Sequence, residues 1–205
     1  EPPHCHGAAC PQKECNMIST LGIPEQDRAE ASRIYWSAFG TKLGHVLGPA
    51  ERAIPFLQET LRLENAVCAH GPDGRLLGLA GFKTPQQSFL DIQFSKMRAA
   101  YGLWGATWRL ALLALLDGEV DNKRFLMDGI AVSEDSRGSG VGTALLEGIF
   151  REAMTRGYRE VRLEVVDSNP RAKALYERRG FDAVGVKRLG WLKHIYGFKT
   201  ATTMV

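Results

Sequence analysis

The chain has 205 residues, a length that suits one domain with a single sizeable core. Its 44% hydrophobic and 24% charged residues exclude collagen-like, repetitive and broadly disordered proteins. A net charge of +3 is too small to indicate a nucleic-acid partner, and we expect none.

The first segment, residues 1–16, is rich in Pro, Gly and Ala, and we expect a disordered leader or a remnant of cloning. Met17 opens the first strand-like run and is a candidate natural start. Cysteine and histidine are zinc ligands, so a small metal site is the alternative that this segment offers. Its candidate ligands are His4, Cys5, His6, Cys10 and Cys15. We predict no metal.

The residues that follow predict a strand, two helices and a hairpin. Apolar residues at helical spacing, such as Tyr35 and Phe39, indicate a helix that opens at Pro24. The run Pro72-Asp73-Gly74 predicts a hairpin turn, because proline fixes one φ and glycine accepts a positive one. Cys68, in an apolar run of this hairpin, is expected to be a core residue rather than a nucleophile. The predicted ranges are strand 18–23, a helix from 24, helix 51–63, and strands 65–70 and 76–82.

A long insertion follows over residues 87–120, with helical sequence at 90–116 that is broken near Gly102 and Gly105. Its most hydrophobic part is too short and too interrupted for the roughly 20 apolar residues that cross a bilayer. No secretory signal is visible, so we expect a cytoplasmic protein without a membrane partner. Trp104 and Trp108 could cover an apolar pocket or form a homodimer contact, although a helix packed on the sheet is the plainer interpretation.

The second half alternates strands and helices, which indicates a mixed α/β sheet. Without a linker, residues 17–205 are predicted to form a single domain. The predicted ranges are strand 124–132, helix 138–156, strand 161–166, helix 170–179, and strands 181–189 and 194–205.

A glycine-rich turn joins the strand that ends at Val132 to the next helix; its residues are Arg137, Gly138, Ser139, Gly140, Val141, Gly142 and Thr143. The first N–H groups of a helix have no internal partner, and the helix dipole makes that end positive. Glycines let an anion approach these donors closely, and a pyrophosphate is the natural guest. The turn lacks the lysine of a P-loop and the third glycine of the dinucleotide fingerprint, so neither motif applies. Tight packing alone is the other interpretation of the turn.

A second motif, about 25 residues after the glycine turn, favours ligand binding over tight packing as the role of the turn. Arg137-x-x-Gly140-x-Gly142 resembles the acetyl-CoA signature of the GNAT superfamily of N-acetyltransferases. The second signature of that family is similar to Leu163-Glu164-Val165-Val166-Asp167-Ser168-Asn169-Pro170-Arg171-Ala172-x-x-Leu175-Tyr176-x-x-x-Gly180-Phe181. The resemblance covers residues 125–205. It implies a mixed, mostly antiparallel central sheet flanked by helices, here with a helical insertion before the fourth strand, and acetyl-CoA as co-substrate.

The resemblance also implies roles for individual residues. The strand before the glycine turn would splay from its neighbour and pair with the pantetheine arm through Ile130, Ala131 and Val132. The amides of residues 137–143 would hold the pyrophosphate, Asn169 would contact the cofactor, and Tyr176 would lie near the sulfur. Asn169-Pro170 is also an ordinary helix start, and Tyr176 could serve packing alone.

Transfer of an acetyl group to an amine needs a base for the ammonium and a proton donor for the thiolate. Tyr176 is the predicted donor. Glu164 is the first choice for the base, because protein-acetylating members of the family resemble the chain at Leu163-Glu164-Val165. Asp128, a carboxylate in an otherwise apolar strand, is the second choice, since desolvation could raise its pKa. A salt bridge or an exposed position on the face of the sheet is the plain alternative for both.

We therefore predict direct acetyl transfer, within a ternary complex, to a primary amine of a small molecule or of a protein N-terminus. A non-catalytic acyl-CoA-binding sensor is the main alternative, and an enzyme that binds ATP or NAD at the turn is a more remote one.

Overall fold

The computed structural model describes residues 17–116, 123–190 and 193–205. The predictions for the cysteine-rich segment 1–16 and for the end of the insertion lie outside these ranges.

Seven strands and six helices occupy the described ranges. Apart from α6, their alternation follows the predicted order, and a short 3-10 turn at Glu25–Asp27 precedes the first helix. The strands are β1 Ile18–Leu21, β2 Ala66–His70, β3 Leu76–Lys83, β4 Phe125–Val132, β5 Val161–Val166, β6 Ala183–Arg188 and β7 Thr200–Met204. The helices are α1 Arg28–Leu47, α2 Ala50–Thr60, α3 Phe94–Leu116, α4 Val141–Thr155, α5 Pro170–Arg178 and α6 Lys193–Tyr196.

The strands form one sheet in the order β1-β2-β3-β4-β5-β7-β6. Every neighbouring pair is antiparallel except β4 and β5, which are parallel. Side chains of a strand alternate between the two faces of a sheet. In β2, Cys68 packs in the apolar cluster with α1 and α2, while Val67 packs in the cluster with α4. The predicted mostly antiparallel sheet flanked by helices is therefore confirmed.

Helix α3 lies between β3 and β4 and bends at Gly102, whose φ is 73°. Two tyrosines attach it to the rest of the molecule. The Tyr101 hydroxyl donates to the Leu47 carbonyl over 2.8 Å, and the Tyr196 hydroxyl donates to the Leu112 carbonyl over 2.7 Å. Trp104, on this helix, is 85% exposed. Homodimer formation through the helix stays a prediction. No described helix combines the length and the apolar character that crossing a membrane requires.

The prediction of one strand over residues 194–205 is wrong in its first part. Residues Lys193–Tyr196 form α6, and the strand is limited to Thr200–Met204. Gly197, with a φ of 71°, separates the two elements. Helix α4 also begins later than predicted, at Val141, because Gly138 and Gly140 adopt positive φ values that no helix contains.

Glycine at position 148 allows α4 to lie close to β2. We therefore expect replacement by alanine to disturb the packing at Gly148 but not at Gly44, a glycine of α1. A Cβ atom added at Gly148 would lie 2.5 Å from Val67 Cγ1, whereas one added at Gly44 would meet nothing within 4 Å. Both Gly→Ala substitutions gain the same helix propensity, so their difference isolates the packing term. We expect Gly148→Ala to be less stable than Gly44→Ala by about 1–3 kcal/mol in chemical denaturation. Equal unfolding free energies would contradict this packing.

Candidate active site

The parallel strands β4 and β5 stay paired over only a short distance. Their register joins Phe125 to Val161 and Leu126 to Arg162, and no further pair follows. Beyond that point β5 continues to pair with β7 on its other side, and β4 continues to pair with β3. The two strands therefore diverge, as the resemblance implied, and a gap opens in the middle of the sheet.

A β-bulge at Asp128 coincides with this divergence. Gly81 of β3 lies opposite Gly129 and Phe82 opposite Met127, so Asp128 is the extra residue. A bulge bends its strand and increases the local twist, which turns β4 away from β5. The Phe39 ring of α1 covers the bulge so closely that a Cβ at residue 129 would lie 2.6 Å from Phe39 Cζ, and only glycine fits there.

The glycine turn lies at the other end of β4, where α4 begins. Gly140 precedes the helix with a φ of 91° and a left-handed conformation. Some amides of the turn are already used: Arg137 donates to Glu134, Ser139 to Ser136, and Thr143 to Gly140. The amides that donate to no described residue are those of Gly138, Gly140, Val141 and Gly142.

These donors fit an anionic group. They open a helix of 15 residues, whose dipole adds a partial positive charge at this end. A Cβ added at Gly138 or Gly140 would meet nothing within 4 Å, so the space in front of the turn is open. The side chain of Val141 is buried in the core, so the residue can offer only its amide to a ligand.

A cavity of about 260 Å³ occupies the gap between β4 and β5 and extends beneath α1. It brings together most of the predicted site residues that do not belong to the glycine turn: Asp128, Ile130, Glu164, Asn169 and Tyr176. Ala131 and Val132 follow Ile130 on β4 but do not line it, and Ala131 is fully buried. A smaller depression of about 120 Å³ between β1 and α4 holds none of the predicted site residues.

Tyr176 lines this cavity from α5 and is only 5% exposed. Its ring contacts Phe181, with the ring centroids 5.8 Å apart. Burial raises the pKa of Tyr176 to about 12. The hydroxyl therefore stays protonated across the neutral range and is available as a hydrogen-bond donor.

The two predicted bases lie on opposite sides of the gap, and each has a basic neighbour outside the cavity lining. Glu164 Oε1 on β5 lies 3.6 Å from Arg162, and Asp128 Oδ1 on β4 lies 3.6 Å from Lys83. The negative charge of Asp128 also affects the pKa of Tyr35, a residue of α1 that lines the same cavity. Burial, and to a smaller extent the charge of Asp128, raises the pKa of Tyr35 well above its ordinary value.

Asn169 and Cys68 have structural contacts. The Asn169 side chain accepts a hydrogen bond from the Ala172 amide over 3.1 Å, so it caps α5 while it lines the cavity. The Cys68 thiol donates to the Gly22 carbonyl over 3.0 Å, is fully buried and does not line the cavity. Burial also raises the pKa of this thiol, which makes it a poor nucleophile. Among the described residues, no group of His, Cys, Asp or Glu could hold a metal ion.

Sequence reasoning missed one side of the cavity. Tyr35, Phe39 and Lys42 of α1 line it, and Lys187 and Arg188 of β6 do so as well. The spacing of Tyr35 and Phe39 predicted a buried helix face but not the gap that the face covers. A lysine at position 42, three residues after Phe39, was the signal available, because a charge on the buried face of a helix requires an explanation.

Comparison with curated proteins finds local similarity to enzymes named as N-acetyltransferases of an alanine in a ribosomal protein. The chain is 44% identical over 59 residues to the [ribosomal protein bS18]-alanine N-acetyltransferase of Escherichia coli strain K12, which is 29% of this chain and 40% of that protein. It is 38% identical over 80 residues to the Salmonella typhimurium protein of the same name, covering 39% and 53%. The match thus spans about half or less of each relative.

Solved structures show the same fold over nearly the whole chain. An N-acetyltransferase from Staphylococcus aureus Mu50 aligns with a TM-score of 0.62 at 14% identity, covering 92% of this chain and all of that one. The ribosomal-protein-S18-alanine N-acetyltransferase of Escherichia coli aligns with a TM-score of 0.52 at 19% identity, covering 92% and 91%. Because these identities are low, the likeness shows the fold alone.

The sequence model of the family described as "Acetyltransferase (GNAT) family" matches residues 29–181. This range begins at the start of α1 and extends past α5, so it contains both predicted motifs and the whole gap between β4 and β5. The match covers well over half of the chain, and the protein therefore belongs to the GNAT family of acetyltransferases.

Proposed function

We propose that the protein transfers an acetyl group from acetyl-CoA directly to a primary amine. The observation that carries this proposal is the cavity in the gap between β4 and β5, where Tyr176 and two carboxylates meet. Family membership supports it. Acetyl-CoA would supply an activated thioester, and the residues of the chain would bind it, orient it and move protons around it.

The open amides at the start of α4 would hold the pyrophosphate, each donating a hydrogen bond to an anionic oxygen. The set of available amides is smaller than the one predicted from the sequence, residues 137–143, because the amides of Arg137, Ser139 and Thr143 already have acceptors. The backbone of β4 from Ile130 to Val132 would pair with the pantetheine arm on the side where β5 has diverged. Backbone N–H groups of the same strand could stabilise negative charge on the thioester oxygen.

A carboxylate must take a proton from the incoming ammonium, because only a neutral amine has a lone pair for attack. Glu164 is the base we propose: it lies on the cavity wall and its side chain is 33% exposed, so water and the acceptor can both reach it. Asp128 is the second candidate, since its side chain is 21% exposed and lines the same cavity from β4.

Tyr176 would donate to the sulfur as the thiolate departs. Full proton transfer from a phenol of pKa about 12 to a thiolate, whose thiol has an ordinary pKa of about 8.5, is uphill by about 5 kcal/mol. We therefore assign Tyr176 the role of a hydrogen-bond donor that stabilises the developing charge, with a moderate effect on rate.

The acceptor is a primary amine of a small molecule or of a protein N-terminus. The names of the Escherichia coli and Salmonella relatives support a protein N-terminus for the proteins that bear them. The helical insertion α3 and the short span of that similarity keep a small amine equally open for this chain. A cytoplasmic location remains part of the proposal.

Coenzyme A titration tests the binding half of the proposal. We expect the amide NMR signals of Gly138, Gly140 and Gly142 to move on saturation, while Gly157, beyond the opposite end of α4, serves as the internal control. We expect calorimetry to show binding of coenzyme A and weaker or no binding of ATP and NAD. Unmoved turn amides at saturating coenzyme A would remove the turn from the site.

Tyr176→Phe tests the role of Tyr176 as a hydrogen-bond donor to the departing sulfur. We expect kcat to fall by about 10- to 100-fold, with the KM for acetyl-CoA nearly unchanged, because only the transition state gains the hydrogen bond. Tyr158→Phe, a tyrosine outside the cavity, is the matched control and should retain full activity. The donor must be protonated, and a pKa of about 12 keeps it so; the ratio of wild-type to variant rate should therefore stay constant from about pH 7 to about pH 10. A ratio that approaches one at the upper end would contradict this role.

Replacement of each carboxylate by its amide distinguishes the two candidate bases. We expect Glu164→Gln to lower kcat/KM for the amine by about 100-fold at neutral pH and Asp128→Asn to lower it less. The Glu164→Gln deficit should shrink as the pH approaches the pKa of the amine, since solution then supplies the neutral nucleophile. Glu177→Gln, on the exposed side of α5, is the control. A larger loss in Asp128→Asn would transfer the role to Asp128.

The non-catalytic sensor is the alternative function. It predicts tight coenzyme A binding without thiol release for any amine in a broad acceptor panel, and detection of acetylated product would exclude it.

A further inference from the structure

Helix α1 presents one charged residue among the side chains with which it lines the cavity. Its other contributions there are Tyr35, Phe39 and Leu43. Lys42 Nζ lies 5.4 Å from the centroid of the Phe39 ring and 5.9 Å from that of Phe198. The ammonium group is thus placed between two aromatic rings at the surface of the gap.

The aromatic rings compensate the charge of Lys42 only in part, because a cation–π contact is weaker than a charge-assisted hydrogen bond. Among the described residues, no carboxylate pairs with this ammonium group. Burial lowers the pKa of Lys42, which reflects the cost of keeping a charge in this position. An anion in the cavity would offset that cost.

The surroundings of Lys42 add to the positive charge. Arg188 lines the same cavity from β6 and is a second basic residue in its wall. The two carboxylates of the cavity, Asp128 and Glu164, have basic neighbours of their own outside the lining. Lys42 and Arg188 therefore offer positive charge to an anionic ligand in the cavity.

Lys42 is separate from the glycine turn along α1. Ser37 is the residue of α1 that reaches the turn region: its hydroxyl donates to Glu134 over 3.0 Å, and Arg137 approaches it at 3.5 Å. Lys42 lies five positions further along, about 7.5 Å at the rise of an α-helix. The ammonium is thus displaced from the proposed pyrophosphate donors and shares its cavity with the proposed bases.

We propose that Lys42 binds a carboxylate of the acceptor, so that the preferred substrates are primary amines that carry a carboxylate close to the amine. This inference rests on the proposed acetyl transfer and names its substrate class. The carboxylate could belong to a free amino acid or to an acidic residue at the start of a peptide, and the two sources share the same recognition.

The test compares matched acceptors in wild-type protein and in Lys42→Met, which removes the charge but retains most of the side-chain length. One pair is L-alanine and L-alaninamide; the other is a peptide amide that begins with Asp and the same peptide with Asn. Because the two members of a pair differ in amine basicity, the readout is the change in their kcat/KM ratio between the two proteins. Lys42→Arg keeps the charge, and Lys96→Met, on α3 outside the cavity, is the matched control.

We expect Lys42→Met to reduce the preference for the carboxylate member of at least one pair by about tenfold or more, with the KM for acetyl-CoA unchanged. Lys42→Arg should retain part of the preference and Lys96→Met all of it. The responding pair identifies the source of the carboxylate. Unchanged ratios in both pairs would overturn the inference and assign Lys42 to packing, while acetyl transfer itself would still stand.

Calorimetric binding of the same acceptors to protein saturated with coenzyme A separates the two proposals. Discrimination by Lys42 in binding, without turnover of any amine, would refute acetyl transfer and retain the carboxylate site. Turnover with binding ratios and kcat/KM ratios that are the same in wild-type protein and in Lys42→Met would refute the carboxylate site and retain acetyl transfer.

Discussion

The end of pairing between β4 and β5 after Leu126 and Arg162 is the constraint on which the rest of the site depends. Two parallel strands in the middle of a sheet ordinarily satisfy each other's backbone groups along their length. Here the bulge at Asp128 turns β4 aside, and the groups that face the gap are left to a ligand or to solvent. Had the ladder continued, the cavity between Glu164 and Ile130 could not exist.

The same strand also fixes the spacing of the two chemical tasks that we propose. Asp128 lies near the start of the gap, and the glycine turn follows Val132. At about 3.3 Å per residue, positions 128–132 span about 13 Å. A ligand that reaches both the amides of α4 and the carboxylates of the gap must therefore be extended. A compact nucleotide held at the turn would leave Tyr176 and Glu164 without a reacting group.

The sequence alone predicts the parts of the fold and cavity that local motifs determine. Tyr176 and Glu164 belong to a strand–helix unit, β5 and α5, whose internal geometry is set by the Asn169 cap and Pro170. The part of the cavity wall that α1 forms cannot be predicted from a local motif. Helical periodicity identifies the buried face of Tyr35 and Phe39, but long-range docking decides that this face covers a gap rather than a closed sheet. Lys42 could not be assigned without that docking.

Helix α6 was not predicted from the sequence, because a long-range contact rather than a local pattern determines it. Its four residues are too few to show a helical period, and Tyr196 is held by a hydrogen bond to Leu112 of the insertion, a contact between residues 84 positions apart. The sequence predicts one strand over residues 194–205, but the strand is limited to Thr200–Met204, and Gly197, with a φ of 71°, separates it from α6. The error lies where a tertiary contact, rather than the local pattern, determines the backbone.

Strand β6 has a consequence for how this protein can diverge. It is an outermost strand of the sheet, and all six of its residues are exposed, yet Lys187 and Arg188 form part of the cavity wall. Substitutions there remove almost no buried apolar surface, so they carry little penalty in folding. Evolution can therefore revise this wall of the cavity while the hydrophobic interior of the molecule stays the same.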